Sequence, residues 1–406
     1  MAAKSDEHSP TADIPRLAVD PFGEEFLSDP YRWHGDLREA GPLFWLEEYG
    51  IYGSAQHAPV TEALADHRTF CSGRGAGLAD FAKEEPWRPP SLLLEVDPPL
   101  HDRTRGLMNK IVSLAALKKL QPIWRAKAEA LVEEVVARRR FDAVTELAEV
   151  FPMLIFPDTV GLPLEGRENL LVYGAAVFNA FGPRNAIYAA GAAAAREATV
   201  WVNEACRREN LAADGWGMEV FHTADEGECS EEEAERLVRS LLSAGLDTTV
   251  NGIGNLLYAL ALHPEQWALL RSDPQSYRRK AFEEALRWDS TVQTFFRTTT
   301  CDAGFYGHEI PEGSKMLLFL AAANRDPRRW ERPDDFDIRR QASGHVAFGF
   351  GIHQCLGQMV ARIEADLLLE AMIPRIRSLA LAGPPERRLN NSLHALARLP
   401  VEIVPA

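Results

Sequence analysis

The chain has 406 residues, 46% hydrophobic and 25% charged, a composition that supports a large buried core and excludes disordered or fibrous architecture for the chain as a whole. Lys and Arg number 44 against 59 Asp and Glu, and the net charge of −15 opposes non-specific binding to nucleic acid or to an anionic membrane. No apolar run approaches the roughly 18 to 20 residues that span a bilayer, and the N-terminal segment is polar without an apolar signal region, so a cytoplasmic protein is expected. Five cysteines, Cys71, Cys206, Cys229, Cys301 and Cys355, are odd in number and scattered, which argues against a disulfide framework and leaves one free for chemistry.

Residues 1–20 read as a mobile tail. Asp29-Pro30-Tyr31 opens a helical pattern, and residues 42–54 alternate like a hairpin around Glu48-Tyr49-Gly50. Residues 67–100 are rich in Gly and Pro without a steady period, and a loop of that length in a compact protein is usually functional. Residues 101–225 read almost entirely as helix, with an alanine tract at 189–195 that is taken as plain helix surface. Residues 230–262 read as one long helix: Ser230 and Glu233 form a capping box, acidic residues fill the first turn, and His263-Pro264 ends it. At 1.5 Å per residue it would be roughly 48 Å long. Helices follow to Trp288, then strand patterns at 294–300 and 315–320, a Gly-rich segment at 344–357, a helix over 358–376 and short closing strands. The fold class is mainly α with minor β clustered late.

The string Phe348-Gly349-Phe350-Gly351-Ile352-His353-Gln354-Cys355-Leu356-Gly357 sets glycines and a cysteine directly before a helix. Glycine lets backbone approach a flat ligand closely. Backbone N–H groups and the positive helix N-terminus favour a Cys355 thiolate, the form that a soft metal or haem iron requires. Taken alone, a buried cysteine in a glycine-rich turn accounts for the string equally well. The whole string, however, resembles the haem-binding signature of the cytochrome P450 family, Phe-x-x-Gly-x-His/Arg-x-Cys-x-Gly, with every fixed position filled. The resemblance implies a triangular helical prism with a long central helix and small β-sheets, and a single catalytic domain over 21–406. It implies haem b with Cys355 as the axial thiolate, His353 at a propionate and Phe348 over the sulfur.

Other segments extend the resemblance over essentially the whole chain. Glu284-Ala285-Leu286-Arg287 places acid and base three apart on one helix face, where they can pair. On its own that is a solvated surface pair; in the family it is the Glu-x-x-Arg ion pair that supports the segment around the thiolate. Asn324-Arg325-Asp326-Pro327 and residues 330–336 match the stretch between that pair and the cysteine. Within the long helix, Ala244-Gly245-Leu246-Asp247-Thr248-Thr249 departs from the apolar pattern, although each interior Gly costs about 1 kcal/mol relative to Ala. Thr248 can bend the helix by bonding a carbonyl one turn back. A kink with no proton role is the alternative to what the family implies, an Asp247–Thr248 acid–alcohol pair that relays protons during oxygen activation. His101 and Arg105, four apart, reach one side of a helix and suit carboxylate recognition, although a lone surface histidine is the ordinary reading of His101. They resemble the propionate-binding His-x-x-x-Arg of the family, with Arg297 as a third donor and Ala244, Gly349 and Gly357 completing the cofactor contacts.

Within the family the sequence is similar to bacterial enzymes that oxidise para-substituted benzoates. The similarity lies in Cys71-Ser72-Gly73-Arg74-Gly75, Trp87-Arg88-Pro89-Pro90-Ser91-Leu92, Phe178-Asn179-Ala180-Phe181-Gly182-Pro183, and residues 238–254 and 293–300. It implies that a carboxylate meets Arg88, Ser91, Arg239 and Ser240, with Leu94, Phe178, Phe181, Ser243, Val292 and Phe295 around the ring. Helical spacing places Ser240, Ser243 and Asp247 on one stripe. Ser240 and Thr248 are about 12 Å apart along an ideal axis. An acid anchored near Ser240 therefore points its far end toward oxygen activated near Thr248.

The expected function is a haem-thiolate monooxygenase that hydroxylates or oxidatively demethylates a para-substituted benzoate such as 4-methoxybenzoate, using O2. Electrons are expected from an iron-sulfur ferredoxin and an NADH-dependent ferredoxin reductase, with neither nucleic acid nor membrane as a partner. A peroxygenase of the same fold has less use for Asp247 and Thr248, since peroxide already carries the protons and electrons. A non-catalytic haem sensor has no need of a carboxylate-binding set.

Overall fold

The computed structural model describes residues 13–406. Helices dominate, as expected, and among the described residues none is long and apolar enough to cross a membrane. Part of the expected tail is built into the fold: Ile14 is buried, and Arg16–Leu17 pairs in parallel with Phe44–Leu46. Residues 1–12 lie outside the described residues.

The hairpin around Glu48-Tyr49-Gly50 forms, with Phe44–Leu46 antiparallel to Ile51–Ser54 and Trp45 opposite Tyr52. It fits only a glycine at position 53, because a Cβ there would lie 2.2 Å from the Phe44 ring. With Arg16–Leu17 on its outer edge, the hairpin forms one half of a six-stranded sheet completed by strands farther along the chain. Ile51–Ser54 runs parallel to Lys315–Phe319, which is antiparallel to Thr294–Thr299, and Phe70–Cys71 closes the far side. A small apolar cluster that includes Phe22, Phe26, Phe44, Phe296 and Phe319 fills one face of this sheet.

The helical body holds the main core. Leu114–Arg138 packs along Gln358–Met372, the helix that follows Cys355. That helix stops at Met372, short of the expected 376, because Ile376 begins a strand paired with Pro400–Pro405. The long helix expected over 230–262 is two helices, Glu231–Ala244 and Asp247–Leu262, interrupted at Gly245-Leu246. Its capping box forms at Ser230 and Glu233. The interruption admits only glycine at position 245, where a Cβ would sit 2.6 Å from both the Leu241 carbonyl oxygen and the Phe156 ring. Thr248 Oγ1 donates to the Ala244 carbonyl at 2.7 Å and Thr249 Oγ1 to the Gly245 carbonyl at 3.2 Å, so hydroxyls satisfy acceptors at the interruption.

Glu284 and Arg287 are both fully buried and form two 2.8 Å bonds, Nε to Oε2 and Nη2 to Oε1. The remaining Arg287 donors reach the carbonyls of Asn324, Pro333 and Asp335, at 2.7 to 3.0 Å. Glu284 Oε1 also accepts from Asp337 N at 3.1 Å and Arg340 Nε at 3.0 Å. The pair is thus a staple rather than a surface ornament, and it fastens residues 324–340 to the helix Pro274–Trp288. Removing one member leaves a buried charge without compensation, which typically costs about 3 to 5 kcal/mol. Arg287→Ala is expected to lose stability of that order in denaturant unfolding. A loss below about 1 kcal/mol would show that the pair does not hold the segment.

Candidate functional site

Cys355 is positioned by a tightly turned segment. Its backbone N–H donates to the Phe348 carbonyl at 2.8 Å, and Gly349 and Gly351 adopt φ of 70° and 73°, the left-handed region that favours glycine. At Gly351 the chain passes so close to the helix His57–Ala65 that a Cβ would lie 2.6 Å from the Leu64 carbonyl oxygen. Cys355 presents its surface to an internal cavity, which protein surrounds, so burial pushes the thiol up. The N–H groups of Gly357 and Gln358 and the charges of Arg105 and Arg362 act in the opposite direction. On the far side of Phe348, the Arg362 guanidinium lies 4.5 Å from the ring centre, held by Glu283 at 2.6 Å and by Gln358 Oε1 at 2.8 Å.

The cavity brings together most of the residues expected from sequence. Arg88, Ser91, Leu94, Arg105, Phe178, Phe181, Ser240, Ser243, Ala244, Thr248, Val292, Phe295, Arg297, Phe348, Gly349, His353, Cys355 and Gly357 all line it. Three expected residues do not. His101 is buried behind His353, the two rings meeting edge to face at 4.5 Å. Arg239 lines an adjoining cleft with Trp87, Tyr173, Arg207 and Glu235, which meets the cavity at Arg88, and its Nη2 lies 3.4 Å from the Pro89 carbonyl. Asp247 corrects the expected stripe, because the helix break turns it away from Ser240 and Ser243. It is buried against Gly174, where a Cβ would come within 2.9 Å of the Asp247 Cβ.

One wall of the cavity carries polar nitrogens without partners. Arg297 is 3% exposed, and its guanidinium bonds the Phe296 carbonyl at 2.8 Å while burial holds it down to about 10. Burial also lowers Arg105, whose Nε has a long 3.3 Å contact to Asn109. His101 Nε2 and His353 Nε2 are buried without a hydrogen-bond partner, since the Asp97 carboxylate stands 3.8 Å from the latter. Two guanidiniums with unused N–H groups, beside two partnerless imidazole nitrogens, fit a flat group that carries paired carboxylates and an iron with a place for one thiolate. The residues present therefore fit haem.

Asp247 is the other unusual group. Its Oδ1 accepts from Asn251 Nδ2 at 3.1 Å and lies 3.4 Å from Arg388 Nη2, while Oδ2 has no partner. Burial raises the carboxyl to about 6, against the opposing charge of Arg388 and the Asn251 bond. Sequence reasoning missed Arg388 and Glu95, and marked Asn251 only as a polar position in the otherwise apolar helix. Glu95 had a local signal, a lone carboxylate after Leu92-Leu93-Leu94.

At the proposed carboxylate anchor, Ser91 Oγ and Ser240 Oγ are 3.1 Å apart, linking the loop to the helix Glu231–Ala244. Arg88 is not free: Nη1 donates to Glu95 Oε2 at 2.9 Å. Three phenylalanines stand together, Phe178 and Phe181 edge to face at 5.5 Å and Phe181 and Phe295 also at 5.5 Å.

A helical body with one cysteine under a glycine-rich turn, facing a cavity rimmed by guanidiniums with unused donors, defines a haem-thiolate protein. Comparison with known proteins agrees. The family model described as Cytochrome P450 matches residues 207–403. The chain is 50% identical over 396 residues to cytochrome p450 CYP199A2 of Rhodopseudomonas palustris, covering 97% of this chain and 96% of that one. It is 31% identical to the vitamin D(3) 25-hydroxylase of Pseudonocardia autotrophica, over 95% of this chain and 96% of the relative. Among solved structures, the cytochrome P450 CREJ in complex with (4-ethylphenyl) dihydrogen phosphate superposes with a TM-score of 0.85 at 26% identity, over 95% of this chain and 99% of that one. The chain belongs to the cytochrome P450 family. It is a monooxygenase that takes haem b with a cysteine thiolate as axial ligand.

The raised Asp247 carboxyl has a consequence for stability. The folded protein keeps this proton to about pH 6, whereas the unfolded chain releases it near 3.8, so the contribution is present below pH 4 and is lost as pH rises through 6. Asp247→Asn has no such proton to lose. Its stability relative to wild type should rise between pH 4 and 6, by roughly 3 kcal/mol at most, and level off above pH 7. Urea unfolding across that range checks it, and a flat difference would remove the pH dependence from this residue.

Proposed function

We propose that this monooxygenase hydroxylates or oxidatively demethylates para-substituted benzoic acids, drawing electrons from an iron-sulfur ferredoxin served by an NADH-dependent reductase. The observation that carries the reading is the composition of one cavity: a polar group at Arg88, Ser91 and Ser240, a phenylalanine-rich middle, and Cys355 in the same wall system. A single polar anchor in apolar surroundings fixes the orientation of a flat ligand. The related CREJ structure holds a ligand of similar plan, an aryl ring with an anionic group at one end and an ethyl group para to it.

Cys355 is the thiolate that holds the haem, with Arg105, Arg297, His353 and, behind it, His101 as donors to the propionates. Bound there, the haem supplies the redox chemistry that splits O2, one atom entering the substrate. The remaining work falls to side chains. Ser91 turns its hydroxyl proton from Ser240 Oγ, and Ser240 turns its own from the Arg236 carbonyl, to the substrate carboxylate, and Arg88 adds a charge-assisted donor. Phe178, Phe181 and Phe295 clamp the ring with little loss of side-chain entropy and, with Leu94 and Val292, exclude water. Thr248 holds the Ala244 carbonyl and presents its hydroxyl at the helix break. Asp247, raised to about 6, both accepts and releases a proton near neutral pH, as a relay group must. Arg388, 37% exposed, connects it to the surface.

Thr248→Ala is expected to bind substrate nearly normally yet divert NADH electrons into free hydrogen peroxide; unchanged product per NADH would remove Thr248 from proton delivery. The substrate assignment is tested with 4-methoxybenzoate, its methyl ester and its meta isomer. A charge-assisted hydrogen bond contributes about 1.5 to 3 kcal/mol, so Arg88→Ala should weaken the acid by roughly ten- to a hundredfold and the ester little. Equal binding of acid and ester by the wild type, or equal demethylation of meta and para isomers, defeats the reading.

A further inference from the structure

The carboxylate anchor contains a carboxylate of its own. Glu95 is 4% exposed and sits in the run Leu92-Leu93-Leu94-Glu95-Val96. A buried carboxylate is costly unless it is paired and hydrogen-bonded. Both partners of its Oε2 belong to the anchor: Arg88 Nη1 at 2.9 Å and the Ser91 backbone N–H at 2.8 Å. Arg88 Nη1 also reaches the Pro89 carbonyl at 3.0 Å, and the guanidinium lies 5.2 Å from the centre of the Trp87 ring. Arg88 Nε is buried and has no hydrogen-bond partner. The guanidinium is therefore gripped by one nitrogen, and a donor remains unused.

The serine side of the anchor is similarly pre-set. Ser240 Oγ donates to the Arg236 carbonyl at 2.9 Å, so the proton shared across the 3.1 Å Ser91–Ser240 contact is that of Ser91. Ser91 Oγ in turn accepts from the N–H groups of Leu93 and Leu94 at 3.3 and 3.2 Å. The loop that presents Arg88 and Ser91 is closed on itself through Glu95, whose own N–H donates back to the Ser91 carbonyl at 3.0 Å.

We propose that Glu95 is a positioning residue that sets both the affinity and the acid selectivity of this anchor. The proposal rests on the benzoate reading above and deepens it. Glu95 aims Arg88 and Ser91 by bonding both, and its negative charge offsets that of Arg88. The incoming carboxylate is held by oriented hydrogen bonds more than by net charge. This matters at the end of the cycle as well as at the start, because oxidation of the para substituent leaves the carboxylate intact, and the product must leave the same anchor. An uncompensated buried Arg88 would hold acid substrate and acid product alike.

Glu95→Gln separates the two effects, since the amide oxygen still accepts from Arg88 and Ser91 while the charge is gone. Binding to the haem-loaded protein is followed by the spin-state shift and by calorimetry, with 4-methoxybenzoate, its product 4-hydroxybenzoate and the methyl ester of the substrate. Both acids are expected to bind roughly tenfold more tightly than to wild type, with a steeper dependence on salt, and the ester unchanged. Acid affinity equal to wild type overturns the proposal, and so does weaker binding of acid and ester together, which is loop damage. Wild type and Arg88→Ala are measured alongside. If the wild type does not prefer acid to ester, the benzoate reading itself has failed. If it does, and Arg88→Ala abolishes the preference while Glu95→Gln leaves it unaltered, only the role of Glu95 is lost.

Discussion

A charge removed from water has to find its hydrogen bonds inside the protein, and the Glu284–Arg287 pair does this completely enough to organise what surrounds it. Arg287 spends its donors on Glu284 and on three carbonyls between Asn324 and Asp335, while Glu284 collects Asp337 N and Arg340. Asn324, whose carbonyl is held in this way, uses its side chain to accept from Val346 N at 2.7 Å. Val346 in turn accepts from Gly349 N at the start of the cysteine turn. The position of the Cys355 sulfur thus descends, bond by bond, from one buried ion pair about seventy residues earlier in the chain.

The cavity follows the reverse logic. Around the ion pair the acceptors and donors match; around the cavity, Arg105 and Arg297 have more donors than the protein supplies acceptors for. Unsatisfied buried cations destabilise the protein that holds them. They are tolerated where a bound group completes them, and an anionic cofactor is such a group. The apoprotein should accordingly be looser on this wall than the rest of the helical body.

The interruption at Gly245-Leu246 reconciles two demands on one segment. Ser240 and Ser243 must face the cavity, whereas Asp247 has to be buried beside Arg388 and Asn251. An unbroken helix would put all three acidic and hydroxyl groups on one stripe. The break rotates the second half, and Thr248 remains at the junction, where its hydroxyl satisfies the Ala244 carbonyl. Cavity-facing hydroxyls and a buried carboxyl are thereby separated along the same stretch of chain.

The features legible in the sequence are those whose physics is local. The cysteine, its glycines and the following helix lie within a few residues of one another, and the Ser230–Glu233 capping box and the hairpin at Glu48-Tyr49-Gly50 each close over a single turn. The family resemblance supplied the distant members of the cavity, Arg105, Phe178, Ser240 and Arg297, which no local pattern connects. Tertiary structure alone decided the rest. Position 245 must be glycine because the Phe156 ring occupies the space of a side chain there; Arg239 opens on an adjoining cleft; Arg388 meets Asp247 from a strand 141 positions away. Arg16–Leu17 leaves the expected tail because the exposed edge of the hairpin offers it backbone partners. Sequence determines which groups each residue can donate or accept, and over short spans it also determines with whom. Over long spans the partner is chosen by which groups are desolvated together, and that is a property of the packed molecule.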